Sequence, residues 1–151
     1  MNEYNVRLMV PEDVPQVAAL ERATFSEPWS EAGFKSALDR RDTIFFVAYL
    51  DERIIGYAGF YYCLDEANIT NVAVNKEYRG QGIGEMLVSS VLMECTRREL
   101  ATIGLEVRAG NEAAIGLYTK LGFEKVGVRK NFYRLPHEDA FVMTKYIETE
   151  D

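Results

Sequence analysis

The sequence predicts an α/β (α+β) fold in which a mixed, mostly antiparallel central sheet carries helices on both faces, in the order βααβββαβαββ. Three observations lead there. Short segments rich in β-branched and aromatic residues alternate with segments of helical period. Two of the strand-like segments, 44–50 and 53–62, flank only Asp51-Glu52 and so form an antiparallel hairpin. Strand-like segments 69–74 and 102–107 are joined through an amphipathic helix, a crossover long enough to leave the two strands parallel.

Taken in order, residues 6–10 read as a short strand and Pro11-Glu12-Asp13 opens a helix, with Asp13 as its cap and Val14, Val17, Ala18 and Glu21 along one stripe. Ser26-Glu27-Pro28 ends that helix near Phe25, and Ser30 caps a second one, with Trp29 and Phe34 at hydrophobic-staple positions. The hairpin follows, and 69–74 pairs next to it. Ile83, Met86, Leu87, Val88, Val91 and Leu92 give the helix at 84–98 a broad apolar face, and 102–107 is a buried strand. A last helix, 111–121, ends at Gly122, a good left-handed position, before strands at 123–133 and 139–147.

At 151 residues and 48% apolar composition, the chain is sized for one domain, expected over 1–147, with 148–151 as a frayed acidic tail. The start of the chain lacks a basic region leading into an apolar run, and no stretch is long and apolar enough to cross a bilayer, so a soluble, cytoplasmic protein without a membrane partner is expected. Cys63 and Cys95 lie in apolar segments without metal-ligand spacing and read as buried, reduced thiols. The single histidine, His137, sits in a turn-like Leu-Pro-His-Glu-Asp stretch, which sets aside a zinc site and a histidine-driven nucleophile. A net charge of −7 argues against nucleic acid as a direct ligand and suits a cationic partner.

The run Arg79-Gly80-Gln81-Gly82-Ile83-Gly84 joins the strand at 69–74 to the helix that follows. Alternating glycines remove side chains that would keep a ligand off the backbone, so successive N–H groups can converge on an anion. The helix start adds unpaired donors and the positive end of its dipole, which suits a pyrophosphate. A plain turn is the other reading. A P-loop does not fit, because Glu85 and Met86 follow Gly84 where Lys and Ser or Thr are needed, and a Rossmann fingerprint requires a different glycine spacing after a first strand.

With the order of elements, Val72-Ala73-Val74 followed by Arg79-x-x-Gly82-x-Gly84 resembles the GNAT superfamily of acetyl-CoA-dependent N-acetyltransferases. A more specific likeness, to the RimI-type ribosomal-protein-alanine N-acetyltransferases, rests on Pro28-Trp29-Ser30, on Leu105-Glu106-Val107-Arg108-Ala109-x-Asn111-x-Ala113-Ala114, on Leu117-Tyr118-x-x-Leu121-Gly122-Phe123 and on Arg129-x-Asn131-Phe132-Tyr133. It covers about 25–143. RimI-like proteins often carry Arg where Gly80 stands, a departure of small effect if the contacts there are backbone amides.

The resemblance implies that Val72, Ala73 and Val74 pair as a strand edge with the pantetheine arm of acetyl-CoA and that the backbone of Gly80, Gln81, Gly82, Ile83, Gly84 and Glu85, beside Arg79, holds the pyrophosphate. It makes Glu106 the candidate base for the acceptor amine and Tyr118 the candidate acid for the departing sulfur, with a backbone N–H near Val74 polarising the thioester. Asn111 reads as a cofactor ligand, a helix cap, or both, and Tyr118 otherwise as a core tyrosine. Arg108, two residues on from Glu106, reads as its salt-bridge partner. The implied acceptor is the N-terminal amine of a basic protein, an alanine on a ribosomal protein in the type case. Trp29, Asn131 and Tyr133 are candidates for its groove, although Trp29 also fits a packing staple and Tyr133 a half-exposed strand aromatic. No metal is implied. Lysine side chains or a small amine as acceptor, and a non-catalytic acyl-CoA-binding module, are the rival readings.

Overall fold

Residues 4–147 are described by the computed structural model, and the acidic segment 148–151 lies outside them. Strands β1 (Asn5–Leu8), β2 (Thr43–Leu50), β3 (Arg53–Cys63), β4 (Glu66–Val74), β5 (Thr102–Arg108), β6 (Glu124–Arg134) and β7 (His137–Tyr146) form one sheet in the order β1-β2-β3-β4-β5-β7-β6. Neighbours are antiparallel except β4 and β5, which run parallel through the expected helical crossover. Helices are α1 (Val14–Thr24), α2 (Glu31–Leu38), α3 (Ile83–Arg97) and α4 (Glu112–Lys120), preceded at α1 and α3 by short 3-10 turns. The predicted order of elements is the observed one, and β4 starts three residues earlier than the β-branched run indicated.

Strand alternation puts the core in two layers. On β3, Ile54 and Tyr57 join Val14, Val17, Ala18 and Phe34 from α1 and α2, whereas Ile55 and Phe60 join Leu87, Val88, Val91 and Cys95 from α3. A strand buried on both faces must be apolar throughout its middle, which is why β3 lacks a polar alternation. The second helix starts as predicted: Ser30 Oγ accepts from the Gly33 N–H at 3.0 Å, and the Trp29 and Phe34 rings meet at 5.3 Å.

Two expectations are corrected. Asp13 does not cap α1 through its side chain but turns back to the Arg7 guanidinium (2.7 and 2.9 Å) and the Val10 N–H (2.9 Å). Charge-assisted bonds outweigh a cap on a nearly buried carboxylate, and the Arg7 guanidinium holds its carboxyl below the usual range. Cys95 is buried, and burial pushes its thiol up to about 12, but Cys63 is exposed at the end of β3, where the chain turns. Among the described residues no helix is long and apolar enough to cross a membrane.

The β4–β5 ladder pairs Glu66 with Thr102, Ala67 with Ile103 and Asn68 with Gly104, and stops there. Beyond it β4 runs on to Val74 while β5 turns its other edge to β7, so the two strands part in a V. At the parting, β4 carries a register shift opposite Gly59 and Phe60 of β3. Gly59 is required there, since a Cβ would come 2.2 Å from Cε1 of the Phe45 ring on β2. Replacing Gly59 by Ala is therefore expected to destabilise the protein by about 1–3 kcal/mol, measured as a lower urea midpoint at unchanged slope, with Phe45→Leu in the same chain recovering part of the loss.

Candidate active site

The V encloses a cavity of about 660 Å³. One wall is Ile69, Thr70, Asn71 and Val72 of β4 and the other is Leu105, Glu106, Val107 and Arg108 of β5. The first half of α4 supplies Asn111 and Ala114, with Tyr118 deeper along the helix, while Trp29 and the β6–β7 hairpin close the sides. Two residues assigned opposite proton-transfer roles from sequence, Glu106 and Tyr118, thus share one space although they come from different elements.

Glu106 follows β5 alternation to the cavity, with a side chain 21% exposed and Oε1 at 3.5 Å from the Arg129 Nε of β6. Arg108 is not its partner. That guanidinium sits near the β6–β7 turn, binds Glu138 (3.2 Å) and the carbonyls of Leu135 and Pro136 (3.2 and 3.0 Å), and lies 4.1 Å over the Tyr133 ring. The turn carbonyls and Glu138 together satisfy a fork of donors that one carboxylate could not. Glu106 is left with a single long contact to an exposed arginine, which keeps its oxygens available.

Asn111 caps α4, its Oδ1 accepting from the Ala114 N–H at 3.2 Å, and lines the cavity as well. Two turns on, Tyr118 is 7% exposed and meets Phe123 edge-on at 5.7 Å. Burial, helped by the charge of Tyr133, pushes its phenol up to about 12, so it is protonated at neutral pH. Tyr133 lies in the cavity wall, and burial raises its phenol against the opposing pull of Arg108. Trp29 both packs on Phe34 and Phe45 and faces the cavity. Asn131 does not face it: a register shift in the β6–β7 ladder brings Phe132 and Tyr133 to the wall and leaves Asn131 outside at φ 55, its N–H on Asp139 at 2.8 Å.

The glycine turn lies past the end of β4, outside the cavity wall but joined to it. Gly80 and Gly82 have φ 79 and 83, and nothing lies within 4 Å of where a Cβ would stand on either. That open side, followed by a helix whose N-cap Gly82 has no side chain to occupy the first N–H groups, is what an anion needs. Gly84 serves packing instead: its Cβ would be 3.3 Å from Leu117, beside Tyr118, and 3.8 Å from Val74, so its absence lets α3, α4 and β4 converge. Arg79 ties the turn to the strand through Nε on the Val74 carbonyl (3.2 Å), the Tyr4 hydroxyl bonds the Gln81 side chain, and Glu85 pairs with Lys120 at 3.1 Å. The β5-facing main chain of Val72, Ala73 and Val74 lies beyond the last ladder pair.

Residues 14–123 match the model of the Acetyltransferase (GNAT) family. The chain belongs to the GNAT acetyltransferase family. It is 37% identical over 133 residues, 87% of this chain and 89% of the relative, to the Escherichia coli (strain K12) protein named ribosomal protein bS18-alanine N-acetyltransferase. The crystal structure of the ribosomal-protein-S18-alanine N-acetyltransferase from Escherichia coli superposes with a TM-score of 0.90 at 32% identity, over 99% of this chain and 97% of that one. Arabidopsis thaliana NAA60, solved in complex with acetyl-CoA, shares the GNAT fold at a TM-score of 0.86 and 20% identity, over 96% and 99% of the two chains.

Sequence reasoning passed over two members of the GNAT cavity, Glu21 and Asn71. Glu21 is 1% exposed. It accepts from the Trp29 N–H at 2.9 Å, from Asn71 and from the Tyr57 hydroxyl, and burial raises its carboxyl against the first two of these donors. The signal was present: a carboxylate on an apolar helical stripe must find donors inside. Because Gly82 holds a left-handed φ that a β-branched residue resists by about 1–2 kcal/mol, Gly82→Val is expected to weaken coenzyme A binding about tenfold by calorimetry and to lower the melting temperature by a few degrees.

Proposed function

We propose that this GNAT protein moves the acetyl group of acetyl-CoA to the N-terminal α-amine of a protein, an alanine-first ribosomal protein of the bS18 kind, by direct attack with Glu106 as base and Tyr118 as acid. The observation that carries the reading is the meeting of these two side chains in the V between β4 and β5. Acetyl-CoA supplies an acyl group already activated as a thioester. The edge of β4 that β5 leaves open at Val72, Ala73 and Val74, where Arg79 Nε takes the Val74 carbonyl, suits the amides of its pantetheine arm, and the backbone from Gly80 to Glu85 suits its pyrophosphate.

A protein N-terminus has a reference pKa of about 7.7–8.0, so near neutral pH most acceptors arrive as ammonium and must lose a proton. Glu106, loosely held by Arg129, takes it directly or through a water. Tyr118, kept protonated by burial, gives a proton to the sulfur as it departs. Holding the amine against the thioester does most of the work. The acceptor assignment rests on the names of the relatives, and the net charge of −7 suits a basic protein met in the cytoplasm.

Mass spectrometry after incubation with acetyl-CoA and a basic Ala-starting peptide is expected to find one acetyl group on the α-amine, and none on the same peptide with a blocked N-terminus; modification of lysines in both would transfer the assignment to side-chain acetylation. Glu106→Gln and Tyr118→Phe are each expected to lower kcat about 10²–10⁴-fold while coenzyme A affinity stays within a few-fold. Since the phenol remains protonated up to about pH 12, Tyr118→Phe should lower the rate without moving the alkaline arm of the pH profile between about 7 and 10.

A further inference from the structure

Glu21 is the acidic residue on the inward stripe of α1, and all three of its donors are uncharged. Oε1 accepts from the Tyr57 hydroxyl and from Asn71 Nδ2 (3.1 Å), and Oε2 from the Trp29 N–H (2.9 Å) and the same Nδ2 (3.2 Å). Nδ2 also lies 3.3 Å from the Tyr57 hydroxyl oxygen, whose own proton is directed at Glu21. A carboxylate only accepts, so the Asn71 amide must present its nitrogen to this node. Its Oδ1 is thereby the end left for something else.

Asn71 stands opposite Gly59, beside the register shift where β4 has just left β5. It lines the cavity on the β4 wall while Glu106 lines it on the β5 wall. An acceptor ammonium entering between them carries three hydrogens: one must leave as a proton to free the lone pair, and the others need acceptors so that the lone pair faces the thioester.

We propose that Asn71 Oδ1 accepts a hydrogen bond from the acceptor amine and aims it, and that Glu21 is a positioning residue which fixes the Asn71 amide in the orientation that makes this possible. The inference rests on the acetyl transfer proposed above. In the step, one ammonium proton passes to Glu106, the nitrogen lone pair forms the bond to the acyl carbon, the carbon–sulfur bond breaks, the sulfur takes the Tyr118 proton, and the second proton the nitrogen loses returns through water to the Tyr118 phenolate, leaving one hydrogen on the amide. Asn71 holds a hydrogen that stays on the nitrogen until the product amide forms. The Glu21 node also grips Trp29 through its N–H, so the same carboxylate sets the loop at the side of the cavity.

The chemistry allows an exchange of roles. In Glu21→Gln, an amide N–H₂ faces Asn71 and favours the flipped carboxamide, which offers the acceptor amine a donor instead of an oxygen. In the double variant Glu21→Gln with Asn71→Asp, the amide introduced on α1 donates to the carboxylate introduced on β4, which restores the node and leaves the second oxygen of that carboxylate facing the cavity. Steady-state kinetics on the full chain with acetyl-CoA and an Ala-starting peptide are expected to give a fall of about tenfold or more in kcat/KM for the peptide in Glu21→Gln and in Asn71→Leu. The KM for acetyl-CoA should stay within about twofold and the double variant should recover most of the loss. Single variants with unaltered peptide kinetics, equal losses toward both substrates, or a double variant that regains its melting temperature without regaining peptide kinetics would overturn the proposal. If a variant fails to fold, the unaltered protein with coenzyme A serves: the Asn71 side-chain carboxamide resonances should shift when the peptide is added, and unmoved resonances would overturn it equally. Absence of turnover by the unaltered protein would bring down the proposed function and this inference together, whereas turnover indifferent to both residues would bring down this inference alone.

Discussion

The parting of β4 from β5 after three ladder pairs is the constraint on which the rest of the site depends. Parallel neighbours ordinarily stay hydrogen-bonded along their length, because a main-chain group left inside without a partner loses a net interaction and keeps its desolvation cost. Here the separation is built in on both sides. β5 is committed to β7 across its whole length, from Thr102 with Tyr146 to Arg108 with Ala140, and β4 is committed to β3 up to Val74 with Gly56. Neither strand can turn back to close the gap without breaking a longer ladder. The open edge of β4 is thus a stable feature of the fold.

What surrounds the V is coupled to it by close packing. The crossover through α3 brings the chain out of β4 through the glycine turn and back as β5. The missing Cβ of Gly84 lets Leu117 approach, which seats α4 against the start of α3 and swings Tyr118 into the cavity. The glycine turn and Tyr118 are consequently linked through one contact, although 34 positions separate Gly84 from Tyr118. On the other face, the 2.2 Å clash that any side chain at Gly59 would create against Phe45 shows how little room the register shift beside Asn71 has.

The cavity carboxylates differ in how they are held, and the differences match their chemistry. Glu21 is buried among uncharged donors and serves as a fixed node. Glu27 reaches across to Arg134 of the β6–β7 hairpin at 2.5 Å. Glu138, just outside, occupies Arg108 and the Gly110 N–H. Of these, Glu106 keeps a loose, partly exposed contact, which suits the base role proposed for it. By engaging the obvious competitor, Arg108, the turn carbonyls of the hairpin leave Glu106 without that ion pair.

Local patterning in the sequence determined the elements, their order, the hairpin at Asp51-Glu52, the Ser30 cap with its Trp29–Phe34 staple, and the glycine turn, because each depends on residues within a few positions of one another. The resemblance to GNAT and RimI-type motifs also singled out Glu106, Tyr118 and Asn111 as residues worth placing. Only the tertiary structure decided partners between distant segments: that Arg108 serves Glu138 and Arg129 approaches Glu106, that Asp13 answers to Arg7, that Asn131 faces away, and that Glu21 and Asn71 meet. Those outcomes hang on which strand edges separate and on what each long side chain can reach once the sheet has closed, distances that no periodicity along the chain contains.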